Sequence, residues 1–158
     1  MEPSPDQYAR LLELRARLRR FLHWSEEQAH DAGITPAQHQ LMLAIHGFPG
    51  PEDPTVSDVA GVLFLRHNSV VGLVDRAQAV GLVERHRDPE RHALVRLRLT
   101  LEGRRQLADL TLAHLDEVQR LAHDLEALWA AAGRSTPDVR STPEVRSTAD
   151  ADTHTPAR

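Results

Sequence analysis

Residues 66–77 read RHNSVVGLVDRA, and the spacing of their apolar members decides the fold. Val70, Leu73, Val74 and Ala77 stand at positions i, i+3, i+4 and i+7, which predicts a helix with one buried face. The opposite face carries small or hydrogen-bonding side chains: Asn68, Ser69, Val71, Gly72 and Arg76. A helix with such a face can approach another surface closely.

A long amphipathic helix is expected at the start of the chain. Leu11, Leu14 and Leu18 recur at three- and four-residue spacing from Tyr8 onward, with arginines between them, and Gly33 should end the segment.

Two shorter helices are expected before residue 66. Thr35 is a good N-cap followed by proline, so residues 36–46 should be helical. Residues 47–54 contain three prolines and two glycines and should form a loop. Thr55 and Asp58 have the spacing of a capping box, which begins the next helix.

The periodicity changes to two after Gly81. Residues 82–87 and 94–99 alternate on either side of a turn at residues 88–90, which predicts a β-hairpin with arginines on one face. Thr100 should then cap a last long helix whose leucines keep close to a heptad spacing. The hexads RSTPDV and RSTPEV follow from Arg134.

These elements predict a mainly α fold with a small β-hairpin, arranged as a winged helix-turn-helix between N- and C-terminal dimerisation helices. Residues 1–53 should form the N-terminal dimerisation helix and second helix, and residues 54–105 the DNA-binding unit. Residues 106–132 should form the C-terminal dimerisation helix, and residues 133–158 a disordered low-complexity tail. The apolar stripes of the first and last helices exceed what the small central unit can cover, which favours a homodimer.

Charge is distributed unevenly along the chain. The 19 cationic residues are all arginine, and with 23 acidic residues they give a net charge of -4. Residues 54–105 carry nine arginines and six acids, whereas residues 106–132 carry one arginine and five acids. The predicted winged helix is therefore the basic part of an acidic chain, which favours binding to DNA phosphates.

A set of residues on the recognition helix and the hairpin is expected to contact double-stranded DNA. Asn68 can form two hydrogen bonds with adenine, and Val71 can contact the methyl group of thymine. The arginines can bind guanine or phosphate. The set is Arg66, His67, Asn68, Ser69, Val71, Gly72, Arg76, Arg87, Arg91, His92 and Arg96. Two alternatives stay open: that Asn68 and Ser69 only cap the helix, and that Arg76 pairs with Asp75 or Glu84. A winged helix that binds an acidic protein partner is the competing function.

The motifs in order resemble the MarR family of bacterial transcriptional regulators. They are GITPAQ from Gly33, NSVVGLVDR from Asn68, GLV from Gly81, DPE from Asp88 and LTLEG from Leu99. The resemblance implies a homodimer with interlocked terminal helices, a palindromic operator, and a repressor that a small aromatic or anionic effector releases. Where the family has Asp-Arg-Arg at the wing tip, this chain has Arg91, His92 and Ala93.

An effector site is expected where the first, second and last helices converge. Its candidate residues are His23, Trp24, His39, Met42 and His114. A metal-responsive regulator is an alternative, in which distant residues such as His39 and His114 join Glu26 or Glu117, although no two of the 10 histidines are three or four residues apart.

The sequence predicts neither an enzyme nor a cofactor, because it contains no Gly-rich phosphate loop and no nucleophile elbow. The chain has no cysteine, and no apolar run or basic leader indicates a membrane span or signal peptide. The expected location is the cytoplasm.

Overall fold

The computed structural model describes residues 2–130, so the predicted tail at residues 133–158 lies outside the described residues. Five helices and two strands follow one another along the chain. They are α1 (Pro5–Asp31), α2 (Pro36–His46), α3 (Val56–Leu63), α4 (His67–Ala79), β1 (Val83–Arg87), β2 (Val95–Leu99) and α5 (Leu101–Ala130). The predicted fold class, mainly α with a hairpin in a winged helix-turn-helix, is confirmed.

Capping boxes begin the first three helices. Thr35 with Gln38 and Thr55 with Asp58 form the reciprocal side-chain-to-backbone hydrogen bonds expected for α2 and α3. Helix α1 begins earlier than its apolar spacing indicated, because Ser4 makes the same arrangement with Gln7 and proline occupies the first helical position.

The hairpin, hereafter the wing (residues 83–99), is antiparallel, with Val83 opposite Leu99 and Arg87 opposite Val95. The segment before α3 joins its outer edge: Thr55 bridges to Arg96, and Leu97 N donates to Pro54 O over 2.8 Å. The residues after α2 therefore form part of the wing's framework, which the sequence did not predict.

A single core lies under α4. It is lined by α2, α3, the wing and the first turns of α5, with Leu41, Met42, Val59 and Leu97 completely buried. The N-terminal half of α1 and the C-terminal half of α5 extend beyond this core and pack on one another, where Arg17 lies 3.3 Å from Asp124. No helix within residues 2–130 is long and apolar enough to cross a membrane.

Candidate nucleic-acid interface

Helix α4 buries one face and presents the opposite face to solvent. Its buried side chains are the four that the spacing predicted: Val70, Leu73, Val74 and Ala77. On the other side Asn68, Ser69 and Arg76 are exposed, and Val71 and Gly72 are half-buried. An amide, a hydroxyl and a guanidinium thus stand together on a helix face with little bulk, which suits entry into a major groove.

Asn68 and Ser69 do not cap the helix that carries them. The N-cap of α4 is Arg66, and no side chain makes the capping hydrogen bond there. The interpretation of these two residues as caps is wrong, and their polar atoms remain available to a ligand.

Arg76 also remains available, because its nearby acidic residues bind other arginines. Arg85 lies 2.6 Å from Asp75, and Arg98 lies 2.7 Å from Glu84. Arg76 makes no ion pair within residues 2–130. The interpretation in which Asp75 or Glu84 holds Arg76 is therefore wrong.

Gly72 allows the Arg76 side chain to lie along the helix. A Cβ atom built on Gly72 would be 3.4 Å from a guanidinium nitrogen of Arg76. This is an ordinary van der Waals distance, so only a side chain larger than alanine at residue 72 would displace the guanidinium.

Ser57 is a residue that the sequence reasoning missed. It lies in the first turn of α3, and its hydroxyl is 3.3 Å from Nδ1 of His67 at the start of α4. Both side chains are exposed where two helices begin, so Ser57 belongs with His67 on the same polar surface. Its position two residues after the Thr55 cap is the sequence signal that could have identified it.

Asp88 organises the tip of the wing. One carboxylate oxygen accepts hydrogen bonds from the backbone N–H groups of Glu90 and Arg91, at 2.9 and 2.7 Å. The other accepts one from Arg96. These donors, with Arg96 first, lower the pKa of Asp88 from 3.8 to about 2. The turn is therefore held by a charged group while Arg91 and His92 are exposed at the tip.

Arg96 is buried, and the prediction that it contacts DNA is wrong. Only 7% of the residue is exposed. Its guanidinium binds the carboxylates of Asp88 and Glu52 and donates to the backbone oxygen of Asp53 over 2.6 Å. We call these four residues the wing anchor. The segment after α2 covers this end of β2, so Arg96 does not share the exposed face of Arg98 that strand alternation predicted.

A second contact reinforces the wing anchor. His86 on β1 lies 2.9 Å from the Asp53 carboxylate through its Nε2 atom. Arg87, at the end of the same strand, is exposed and makes no ion pair within residues 2–130. The arginines of the wing therefore have two different roles. Arg96 fixes the wing to the segment after α2, whereas Arg87 faces solvent.

Four of the five predicted effector residues lie where α1, α2 and α5 meet. The His114 ring centroid is 4.7 Å from that of His39 and 4.9 Å from that of Trp24, while Met42 is completely buried nearby on α2. His23 is not part of this group: its side chain is 75% exposed and pairs with Glu27, because it lies on the outer side of α1. The prediction for His23 is wrong.

Ser25 and Phe21 complete this group, hereafter the aromatic cluster, and the sequence reasoning missed both. His114 Nδ1 lies 2.7 Å from the backbone oxygen of Leu110, so Nδ1 carries the proton in the neutral ring. The other nitrogen then accepts from the Ser25 hydroxyl at 2.8 Å. Phe21 packs edge-on against His114, with ring centroids 6.2 Å apart.

The cluster does not have the composition of a metal site. Both ring nitrogens of His114 are engaged in hydrogen bonds. Within residues 2–130 no three His, Cys, Asp or Glu side chains come together as potential metal ligands.

His39 is a buried histidine whose Nε2 atom has no hydrogen-bond partner within the described chain. Burial, with a smaller contribution from His114, lowers its pKa from 6.5 to about 4. Between pH 6.5 and about pH 4 the unfolded chain binds a proton at residue 39 that the folded chain does not. The free energy of unfolding therefore decreases as the pH is lowered through this range.

This shift predicts a measurable difference between the protein and a His39→Met variant. From about pH 7 to about pH 5 the free energy of unfolding should fall by about 1.5 kcal/mol more in the unsubstituted protein than in the variant. Urea unfolding at both pH values measures the difference, with His23→Gln as the control for an exposed histidine. An equal pH dependence in the protein and in His39→Met would show that the pKa of His39 is not lowered by burial.

Comparison with known proteins finds a family model that matches part of the chain. The model of the MarR family matches residues 32–92, which span α2 to the wing tip. The match covers 61 of the 158 residues, and over this stretch the chain is similar to the MarR family.

Solved structures of MarR proteins share the fold. A MarR family protein from Bacillus stearothermophilus is 24% identical, with a TM-score of 0.64 over 76% of this chain and 82% of its own. A mutant MepR from S. aureus bound to an oligodeoxyribonucleotide is 17% identical, with a TM-score of 0.59 over 83% and 94%. CouR from Rhodococcus jostii RHA1, bound to p-coumaroyl-CoA, is 22% identical, with a TM-score of 0.56 over 79% and 78%. No curated protein matches the sequence significantly.

Proposed function

We propose that this chain is a DNA-binding transcription regulator of the MarR family and not an enzyme, a homodimeric repressor that reads a palindromic operator with α4. The observation that carries the proposal is the exposed face of α4, where Asn68, Ser69 and Arg76 keep their polar atoms free of partners within residues 2–130. Asn68 is proposed to bind adenine, Val71 to touch a thymine methyl group, and Arg76 to bind guanine or phosphate.

The remaining contacts are proposed to fix the position of the protein on the duplex. Arg66, His67 and Ser57 lie where α3 and α4 begin, and helix N-termini with cations suit phosphate groups. Arg87 and Arg91 are proposed to reach the flanking backbone or minor groove from the wing, together with His92. Arg96 has no part in this surface because it is buried in the wing anchor.

The dimer is proposed to form through α1 and α5. Both helices leave large apolar side chains exposed on their outer parts. On α1 these are Tyr8, Leu11, Leu12, Leu18 and Leu22, and on α5 they are Leu112, Leu115, Val118 and Trp129. A patch of this extent is unusual on a monomer surface, and pairing of equivalent helices closes a twofold dimer. The division into terminal dimerisation helices and a central DNA-binding unit at residues 54–105 follows from this proposal.

The test is selection of binding sites by the purified protein from random-sequence duplex DNA. We expect an inverted repeat whose half-sites are about 10 base pairs apart, centre to centre. Asn68→Ala should lose about 1–3 kcal/mol of discrimination at one base pair in each half-site. Gln119→Ala removes an exposed amide from α5 and serves as the matched control, with unchanged selection.

A protein that enriches no sequence, or an Asn68→Ala variant with the same preference as the parent, would overturn this assignment. Retention of the protein by acidic polypeptides in place of DNA would support the competing function, a winged helix that binds protein.

The effector site is proposed at the aromatic cluster. His39 provides an unpartnered Nε2 atom, and its ring lies beside that of His114, which packs on Trp24; this surrounding suits an aromatic carboxylate or phenol. CouR, which shares this fold, is seen with an aromatic acyl-CoA. Binding to the selected DNA, measured again with phenolic acids present, should weaken, and unchanged binding with all of them would contradict this part of the proposal.

A further inference from the structure

The turn between α3 and α4 holds a phenylalanine in a conformation that favours glycine. Phe64 has φ +54°, and within residues 2–130 no other residue except glycine has a positive φ. The backbone there forms the helix-ending motif in which Leu65 N–H donates to Ala60 O and Phe64 N–H donates to Gly61 O. This motif needs no side chain at residue 64, and a bulky one costs stability.

The ring of Phe64 gains nothing from the fold that would offset this strain. The residue is 95% exposed, the highest exposure of any large apolar residue in the described chain. Its neighbours Val62 and Leu65 are 46% and 45% exposed. A strained backbone that displays an aromatic ring in solvent indicates that the ring has a function outside its own chain.

An apolar groove is lined in part by Val62 and Leu63, the two residues immediately before Phe64. It has a volume of about 240 Å³ and is lined mainly by Leu43, Ala44, Phe48, Pro49, Val62 and Leu63. None of its lining residues is charged, although charged residues make up 27% of the chain. Its occupant is therefore apolar, and a second copy of this surface can cover it without burying a charge.

We propose that two copies of this chain associate through this surface, with Phe64 of each copy inserted into the groove of the other. Phe64 directly follows two residues that line the groove, so ring and groove belong to one surface, and a twofold axis through that surface can bring each ring to the other copy's groove. The surface is built by α2, the following loop and α3, whereas the proposed dimer uses α1 and α5. The contact therefore joins chains that belong to different dimers.

The test is sedimentation equilibrium of the full-length protein without DNA. The apparent mass of the unsubstituted protein should rise with concentration above the mass of the proposed α1–α5 dimer. Phe64→Gly should weaken this association at least about tenfold, as expected for an aromatic anchor. Its thermal midpoint should be equal or higher, because glycine suits the left-handed position. Val80→Ser, which changes another exposed apolar residue, is the control and should associate normally.

A second pair of measurements distinguishes insertion into the groove from general adhesion. Val62→Glu places a charge at the groove and should also prevent association. In a mixture of the two variants, the Val62→Glu chain supplies an intact ring and the Phe64→Gly chain supplies an intact groove. The mixture should therefore associate more strongly than either variant alone. A constant mass of the unsubstituted protein, equal association of Phe64→Gly, or a mixture no stronger than its components would each overturn the proposal. Since no DNA is present, this outcome is separate from that of the operator selection.

Discussion

Replacing Arg96 by methionine should lower the thermal midpoint by about 10 °C and detach the wing from the segment after α2. Methionine preserves the aliphatic part of the side chain, so the loss comes from the missing hydrogen bonds. Asp88 and Glu52 would lose their cation, and Asp88 is almost completely buried. Thermal unfolding followed by circular dichroism measures the shift.

The pH dependence of the same variant provides a second readout. Because the folded-state pKa of Asp88 is lowered from 3.8 to about 2, its stabilising effect is complete above pH 3.8 and disappears as the pH falls through 2. Arg96→Met should lose most of this dependence. Arg98→Ala is the control, since its exposed pair with Glu84 should contribute about 0.5 kcal/mol or less. Equal effects of the two substitutions would show that Arg96 does not anchor the wing.

Gly103→Ala should destabilise the protein by about 3 kcal/mol, because the start of α5 touches the backbone before β1. A Cβ atom on Gly103 would overlap the carbonyl oxygen of Leu82. That oxygen also accepts the backbone N–H of Thr100 over 3.1 Å, so the helix cannot move away without losing this hydrogen bond. Urea unfolding of the variant measures the loss.

Gly61→Ala provides the matched comparison. Gly61 lies inside α3, and nothing stands within 4 Å of an added Cβ atom. Alanine there should stabilise the protein by up to about 1 kcal/mol through helix propensity. If both glycine substitutions stabilise, the close approach of α5 to Leu82 is not a feature of the folded protein.

Together the wing anchor and Gly103 explain how a short hairpin keeps a fixed position. The anchor ties the outer edge of the wing to the segment after α2, and Gly103 lets α5 close against its inner end. A two-stranded ribbon alone is marginally stable in water. The exposed cations at its tip therefore depend on buried groups that do not face a ligand.

Local elements were predictable because their causes lie within a few residues. The Thr35 and Thr55 capping boxes act over three residues, and the buried face of α4 follows from spacings of three and four. The start of α1 was misplaced only because the Ser4 cap precedes the first apolar residue of the pattern.

The errors have a common physical origin. Strand alternation assigns Arg96 and Arg98 to one face, but Arg96 binds Glu52, which is 44 residues away in the sequence. Ser25 is 89 residues from His114, its hydrogen-bond partner, so its place in the aromatic cluster could not be read from its neighbours. Which arginines are free of ion pairs likewise depends on contacts between elements, as with Asp75 and Arg85.

The sequence by itself determined the helices, the hairpin, the resemblance to the MarR family and the basic character of residues 54–105, since caps, periodicity and charge act locally or as sums. The tertiary structure alone decided which polar groups remain available. It buried Arg96, left Arg76 and Asn68 exposed, joined His39 to His114 and displayed Phe64, because availability depends on what the distant parts of the chain cover.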